Sequence, residues 1–105
     1  MGSVFHVMEE EFERLNEAKI AYEAAIKREV QGAPQIKRGG GRKDYLYLAR
    51  RIGDKVQYRY ISNADDDRAR KALESVKRRR EYEQLLKGVK NDLKEVRKAL
   101  RGRKI

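Results

Sequence analysis

The sequence predicts an α+β fold dominated by helix: a long helix, a two- or three-stranded antiparallel sheet, and a second long helix, the helices folding back as an antiparallel coiled-coil pair. Three observations lead there. Residues 4–31 and 64–101 repeat apolar side chains at alternating spacings of three and four, the signature of amphipathic helix. Residues 42–61, RKDYLYLARRIGDKVQYRYI, alternate with a period of two instead and are split by Gly53-Asp54, a tight-turn pair. Finally, 42% of the 105 residues are charged and 39% hydrophobic, too few apolar groups for a thick core, a shortage that long helices burying a narrow stripe can accommodate. The whole chain, 1–105, is expected to be a single small domain.

The first helix is expected over 4–31, with Ser3 as its N-cap and Gly32 followed by Pro34 as its stop. Glu9, Glu10, Glu11 and Glu13 lie in its first half, the half that suits the positive end of the helix dipole. Phe5, Met8, Phe12, Leu15, Tyr22 and Ile26 form a heptad seam with Lys19 as its one defect. A helix of this length spans roughly 40 Å. It is too long to pack only on a small hairpin, so it needs another helix.

Residues 35–41, QIKRGGG, read as a short first strand running into a glycine turn. Gly39, Gly40 and Gly41 beside Arg38, Arg42 and Lys43 resemble phosphate-cradling loops only in composition: no Walker or dinucleotide pattern surrounds them and no helix begins there. The glycines are better explained by backbone freedom. In the hairpin that follows, Ile52 facing Lys55 sorts the side chains into two faces. One carries Tyr45, Tyr47, Ala49, Arg51, Val56, Tyr58 and Tyr60; the other carries Leu46, Leu48, Arg50, Ile52, Lys55, Gln57, Arg59 and Ile61. Neither face is purely polar, so the hairpin is expected to meet its own helices on one side and an external partner on the other.

Asn63 and the run Asp65-Asp66-Asp67 open the second helix, with Asn63 as the expected cap. Gly88 is a weak point worth about 1 kcal/mol, and Gly102 a natural terminator. Tyr82, Leu86, Val89, Leu93, Val96 and Leu100 make a heptad seam, whereas Ala69, Ala72, Leu73 and Val76 lie in a different phase. The change of phase falls around Lys77-Arg78-Arg79-Arg80. The early turns are therefore expected on the sheet and the later ones against the first helix or another subunit. A lone two-helix pair leaves much of each seam in water, which predicts a homodimer.

Catalytic chemistry finds few candidates. There is no cysteine, and the single histidine, His6, lies in the first helical turns, where a solvated role fits best. Zinc sites and Cys–His or Ser–His–Asp arrangements are out of reach within one chain. The aspartate run lacks the spaced ligands and terminal glutamate of a calcium loop, and helix capping explains it. No catalytic residue, metal or cofactor is expected. No apolar run suits a bilayer or a signal peptide, and absence of cysteine suits a reducing cytoplasm.

Charge points elsewhere. The formal net charge is +10, distributed as seven acids and four bases over 1–31, two acids and eight bases over 32–63, and eight acids and fifteen bases over 64–105. Packing the acidic first segment on the last leaves the hairpin and one side of the last segment as the exposed positive surface, which attracts polyanions. Candidate nucleic-acid contacts are Lys37, Arg38, Arg42, Lys43, Arg50, Arg51, Lys55 and Arg59, with Tyr45, Tyr47 and Tyr58 for stacking and hydroxyl contacts, and Arg78, Arg79 and Arg80 on the second helix. A two- or three-stranded ribbon is narrow enough for a DNA major groove. Tyrosine and arginine also dominate protein interfaces, so an adaptor or inhibitor clamping a larger protein partner is the alternative.

Two resemblances bear on these residues. Residues 35–80, with basic strands ending in Tyr58-Arg59-Tyr60-Ile61 and a helix opened by Asn63 and the aspartates, resemble the arm-binding domains of phage and transposon tyrosine recombinases. That resemblance implies a three-stranded sheet that packs on a helix and inserts into DNA, in an accessory or regulatory factor of a mobile element; the long first helix departs from it. Tyr45, Tyr47, Leu48, Arg51, Gly53, Lys55, Val56, Arg59, Tyr60 and Ile61 also resemble a hairpin pattern in small prokaryotic helix–hairpin–helix proteins. This second likeness covers most of the chain and implies no particular activity.

Overall fold

A computed structural model describes residues 3–41 and 43–102, in the order α1 (Ser3–Arg28), β1 (Ala33–Arg38), β2 (Asp44–Ile52), β3 (Lys55–Asn63) and α2 (Asp67–Gly102). One long helix precedes and another follows, along the chain, a three-stranded antiparallel sheet with β2 in the centre, as the sequence predicts. The described residues form two compact units: residues 29–80, which hold the sheet and the first turns of α2, and residues 3–28 with 81–102, which hold the helix pair.

In the sheet unit, Gly53 turns the chain at φ +65, while no other described residue except glycine has a positive φ. A positive φ at the first turn position alone is the type II′ pattern, whose twist matches that of paired strands. Ile52 stands opposite Lys55, and the register continues through Arg51–Val56 and Ala49–Tyr58 to Tyr47–Tyr60. There a bulge admits one extra residue on β3, so that Ser62, two positions on from Tyr60, pairs with Leu46. Both Leu46 and Ser62 are fully buried, and Ile61 packs on the cluster of Leu46, Ala69 and Ala72. The early apolar phase of α2 therefore lies on the sheet, with Val76 buried and Leu73 at the margin.

The helix boundaries move from the expected ones for identifiable reasons. α1 ends at Arg28 rather than at residue 31 because the next residues bond to α2. The Val30 N–H donates to Ser75 Oγ at 2.8 Å, and that hydroxyl donates to Glu29 Oε2 at 2.6 Å. Gly32 then takes φ +146, and a Cβ there would meet the Leu48 Cβ at 3.0 Å, so the exit needs glycine. β1 starts at Ala33 and ends at Arg38, and Gly39 closes its turn by donating to the Lys43 carbonyl at 2.9 Å. The Tyr45 ring lies against Gly39 and leaves no room for a side chain.

At the other end, α2 starts at Asp67, not residue 64, and Asp66 is the cap rather than Asn63. Its carboxylate accepts from the Arg68 N–H at 2.9 Å, two residues on, while Asn63 still ends β3 and offers only its carbonyl, to the Asp66 N–H. The Ser3 capping role falls on a side chain outside the described ones.

In the helix unit the predicted seams meet in antiparallel order. Tyr22 lies against Tyr82 with ring centroids 6.2 Å apart, and Phe12 lies under the Arg97 guanidinium at 5.6 Å, so advancing along α1 means going back along α2. Leu15, Ala25 and Leu93 are buried; Phe5, Met8, Phe12, Tyr22 and Ile26 on α1, and Tyr82, Leu86, Val89, Val96 and Leu100 on α2, are half-buried. The unit boundary on α2, between Arg80 and Glu81, coincides with the predicted change of phase.

Candidate nucleic-acid interface

Alternation along β2 gives the sheet two unlike faces. On the helix-covered face Leu46 and Leu48 are buried, but beyond them Arg50, Gln57 and Arg59 are exposed and line a shallow depression with Gln31. On the opposite face Tyr45 and Tyr47 are half-buried, while Tyr58 and Tyr60 remain 55% and 51% exposed. The Tyr60 ring lies 5.5 Å from that of Tyr47, edge to face at 62°, and 6.1 Å from that of Tyr45 at 59°. Offset and edge-on contacts of this kind hold rings in defined orientations. Lys37, reaching from β1, sets its ammonium 4.2 Å from the Tyr58 centroid and 4.9 Å from that of Tyr47. β1 pairs only as far as Ala49, so the remainder of the β2–β3 hairpin is two-stranded and exposed on both faces.

The predicted cations divide by their surroundings. Lys37, Arg38, Lys43, Arg50, Arg51, Lys55 and Arg59 are exposed, and among the described residues none of them pairs with a carboxylate. Several cations in the first turns of α2 are engaged instead. Arg68 bonds Asp66 at 3.2 Å, Lys71 reaches Asp67 at 3.3 Å, and Arg70 joins Asp67 and Glu74. Arg78 Nε donates to Glu29 at 3.1 Å, and Arg79 donates to the Glu29 carbonyl at 3.2 Å. Both arginines thus help to fasten the segment after α1, while Arg80 remains exposed. Arg42 lies outside the described residues.

The predicted contacts do not make one patch. Arg51 and Lys37 belong to the tyrosine face, whereas Arg50 and Arg59 belong to the other. Tyr60, absent from the predicted contacts, stands at the centre of the ring cluster. Its signal was in the sequence, since simple alternation already set it beside Tyr45 and Tyr47.

Asp66 and Asp67, just after β3, serve the helix start. Asp66 is held below the ordinary carboxylate value of 3.8 by the hydrogen bond from the Arg68 backbone, then by the Arg68 side chain. Asp67 is lowered likewise, first by the Arg70 guanidinium and then by Lys71. Among the described residues no group of three His, Asp or Glu side chains is arranged to hold a metal ion, and no helix is long and apolar enough to cross a membrane.

No family model matches the chain, and no curated protein or solved structure is found to be similar to it.

Proposed function

We propose that this chain binds nucleic acid, in the first instance DNA, through the cations and tyrosines of its sheet, by a mainly electrostatic grip. The observation that carries this reading is the clustering just described: seven exposed sheet cations without a carboxylate partner among the described residues, whereas Arg68, Arg70, Lys71 and Arg78 on α2 are ion-paired. Unpaired cations in an array bind a polyanion by releasing its condensed counterions. The likeness of residues 35–80 to recombinase arm-binding domains adds DNA and a role as accessory or regulatory factor of a mobile element, acting in the cytoplasm. The test is affinity for a labelled oligonucleotide as a function of salt. Log affinity should fall steeply with log salt, and Arg50→Glu, Arg51→Glu and Arg59→Glu combined should abolish binding; a flat salt response would remove this reading.

A second reading has its own observation. The helix seams are only half-buried, and Val4, Val7, Ile20 and Leu85 are exposed apolar side chains on the helices. A second copy of the chain, or a larger protein clamped by an adaptor or inhibitor, would cover such surface. A protein partner that stays bound through nuclease treatment and high salt would select the adaptor, and a doubled solution mass the homodimer.

A further inference from the structure

The geometry points to a single strand as the form of nucleic acid bound, with its bases stacking on the open tyrosine face of the sheet. This rests on the nucleic-acid reading and goes beyond it, because electrostatics alone does not separate single strands from duplex. Rings suit bases in a way that charges do not: every base has a π face, and aromatic platforms bind successive bases with little regard to sequence. In a duplex those faces are stacked on one another, and only edges point outward.

Tyr58 and Tyr60 lie on the same face of β3, more than half exposed; Tyr60 is buttressed from β2 by Tyr47 and Tyr45, and Tyr58 is covered by the Lys37 ammonium. The Tyr45 ring is itself backed by Gly39, where any side chain would intrude. The Tyr60 ring is therefore set before a ligand arrives, which limits the ordering cost of binding there. Strand alternation places Gln35, Lys37, Arg51 and Val56 on the same face and no aspartate or glutamate. An anionic chain with flat apolar rings complements that composition; an acidic peptide would match the charge but leave the tyrosine rings largely uncovered.

Lys37 gives the face a working part. Its ammonium rests over Tyr58 and Tyr47, the attraction of a cation for an aromatic face. A base stacking on Tyr58 takes that position, and the flexible lysine stem carries the charge to a neighbouring phosphate. Arg50 and Arg59, on the opposite face, are left to the backbone alone.

The experiment compares labelled oligo(dT) with a mixed-sequence duplex of equal length at matched salt, using fluorescence anisotropy. Oligo(dT) should bind more tightly than duplex. Tyr58→Leu with Tyr60→Leu, which keeps apolar bulk but removes the π faces, should weaken oligo(dT) binding roughly five- to 150-fold for each stacked base lost and leave the salt slope unchanged. The wild-type comparison needs no variant, so it stands even if the double substitution unfolds. Duplex bound as tightly as oligo(dT), or a folded double variant that binds oligo(dT) like wild type, overturns stacking while leaving nucleic-acid binding intact. Binding of neither probe at low salt removes the nucleic-acid reading itself, and the platform with it.

Discussion

Ser75→Ala is the sharpest test of how the sheet unit is held together. The Ser75 side chain is 8% exposed and joins two groups that leave α1, accepting from the Val30 N–H and donating to Glu29. Alanine fills nearly the same volume, so packing is preserved and the loss is of hydrogen bonds. Glu29 retains the Arg78 guanidinium at 3.1 Å, which leaves the Val30 N–H as the group that suffers. Val30 is half-buried, so losing this partner costs toward the lower end of the penalty for an unpaired donor, about 1 kcal/mol. For a chain of this size that corresponds to a Tm lowered by roughly 4–8 °C. Thermal unfolding followed by far-ultraviolet circular dichroism reads it directly. Glu29→Gln, which keeps an acceptor for the serine, should cost less than Ser75→Ala. If Ser75→Ala unfolds within about 0.5 kcal/mol of wild type, the node is not what fastens the linker and the account is wrong.

Three further outcomes follow from the backbone and the helix cap. Gly32→Ala should destabilise by about 1–3 kcal/mol in urea titration, since φ +146 is disfavoured with a Cβ and Leu48 stands in its way. At Gly53, with φ +65 but open space around it, alanine should cost about 1–2 kcal/mol and asparagine less, which separates pure backbone strain from steric conflict. Asp66 and Asp67 have folded values below 3.8, so the stabilisation they bring is complete above that pH and is lost as pH falls through their lowered folded values. Asp66→Asn should therefore flatten the acid limb of the stability curve, measured by unfolding across pH; an unchanged limb would refute the assignment of the cap.

Some of this architecture was legible because local chemistry specifies it. The Gly53-Asp54 turn sets the register of β2 and β3 without help from the rest of the chain, since only glycine tolerates the first turn position at no steric cost. Period-two alternation then assigns Leu46 and Leu48 to one face and the tyrosines to the other. The heptad seams and their change of phase near Arg80 are likewise properties of spacing along the chain.

What alternation could not say is which of two mixed faces would be covered, because Leu46 and Leu48 compete with Tyr45 and Tyr47 for burial. Tertiary packing decided it: Leu46 is buried with Ala69 and Ala72 of α2, and Tyr58 and Tyr60 are left open. The same holds for charge. The arginines at 78 and 79 look like those of the hairpin in sequence, but a long-range contact with Glu29 engages them, whereas the sheet cations meet no carboxylate among the described residues. The early end of α1 shares this origin: it depends on where Ser75 meets Val30, and a hydrogen bond across more than forty residues leaves no periodic trace along the chain. The cap at Asp66 is local by contrast, a choice among neighbouring side chains that can all accept from the first helical amides. Sequence alone determined the elements, their order and the alternating faces; tertiary contact determined which face and which charges remain available to a partner.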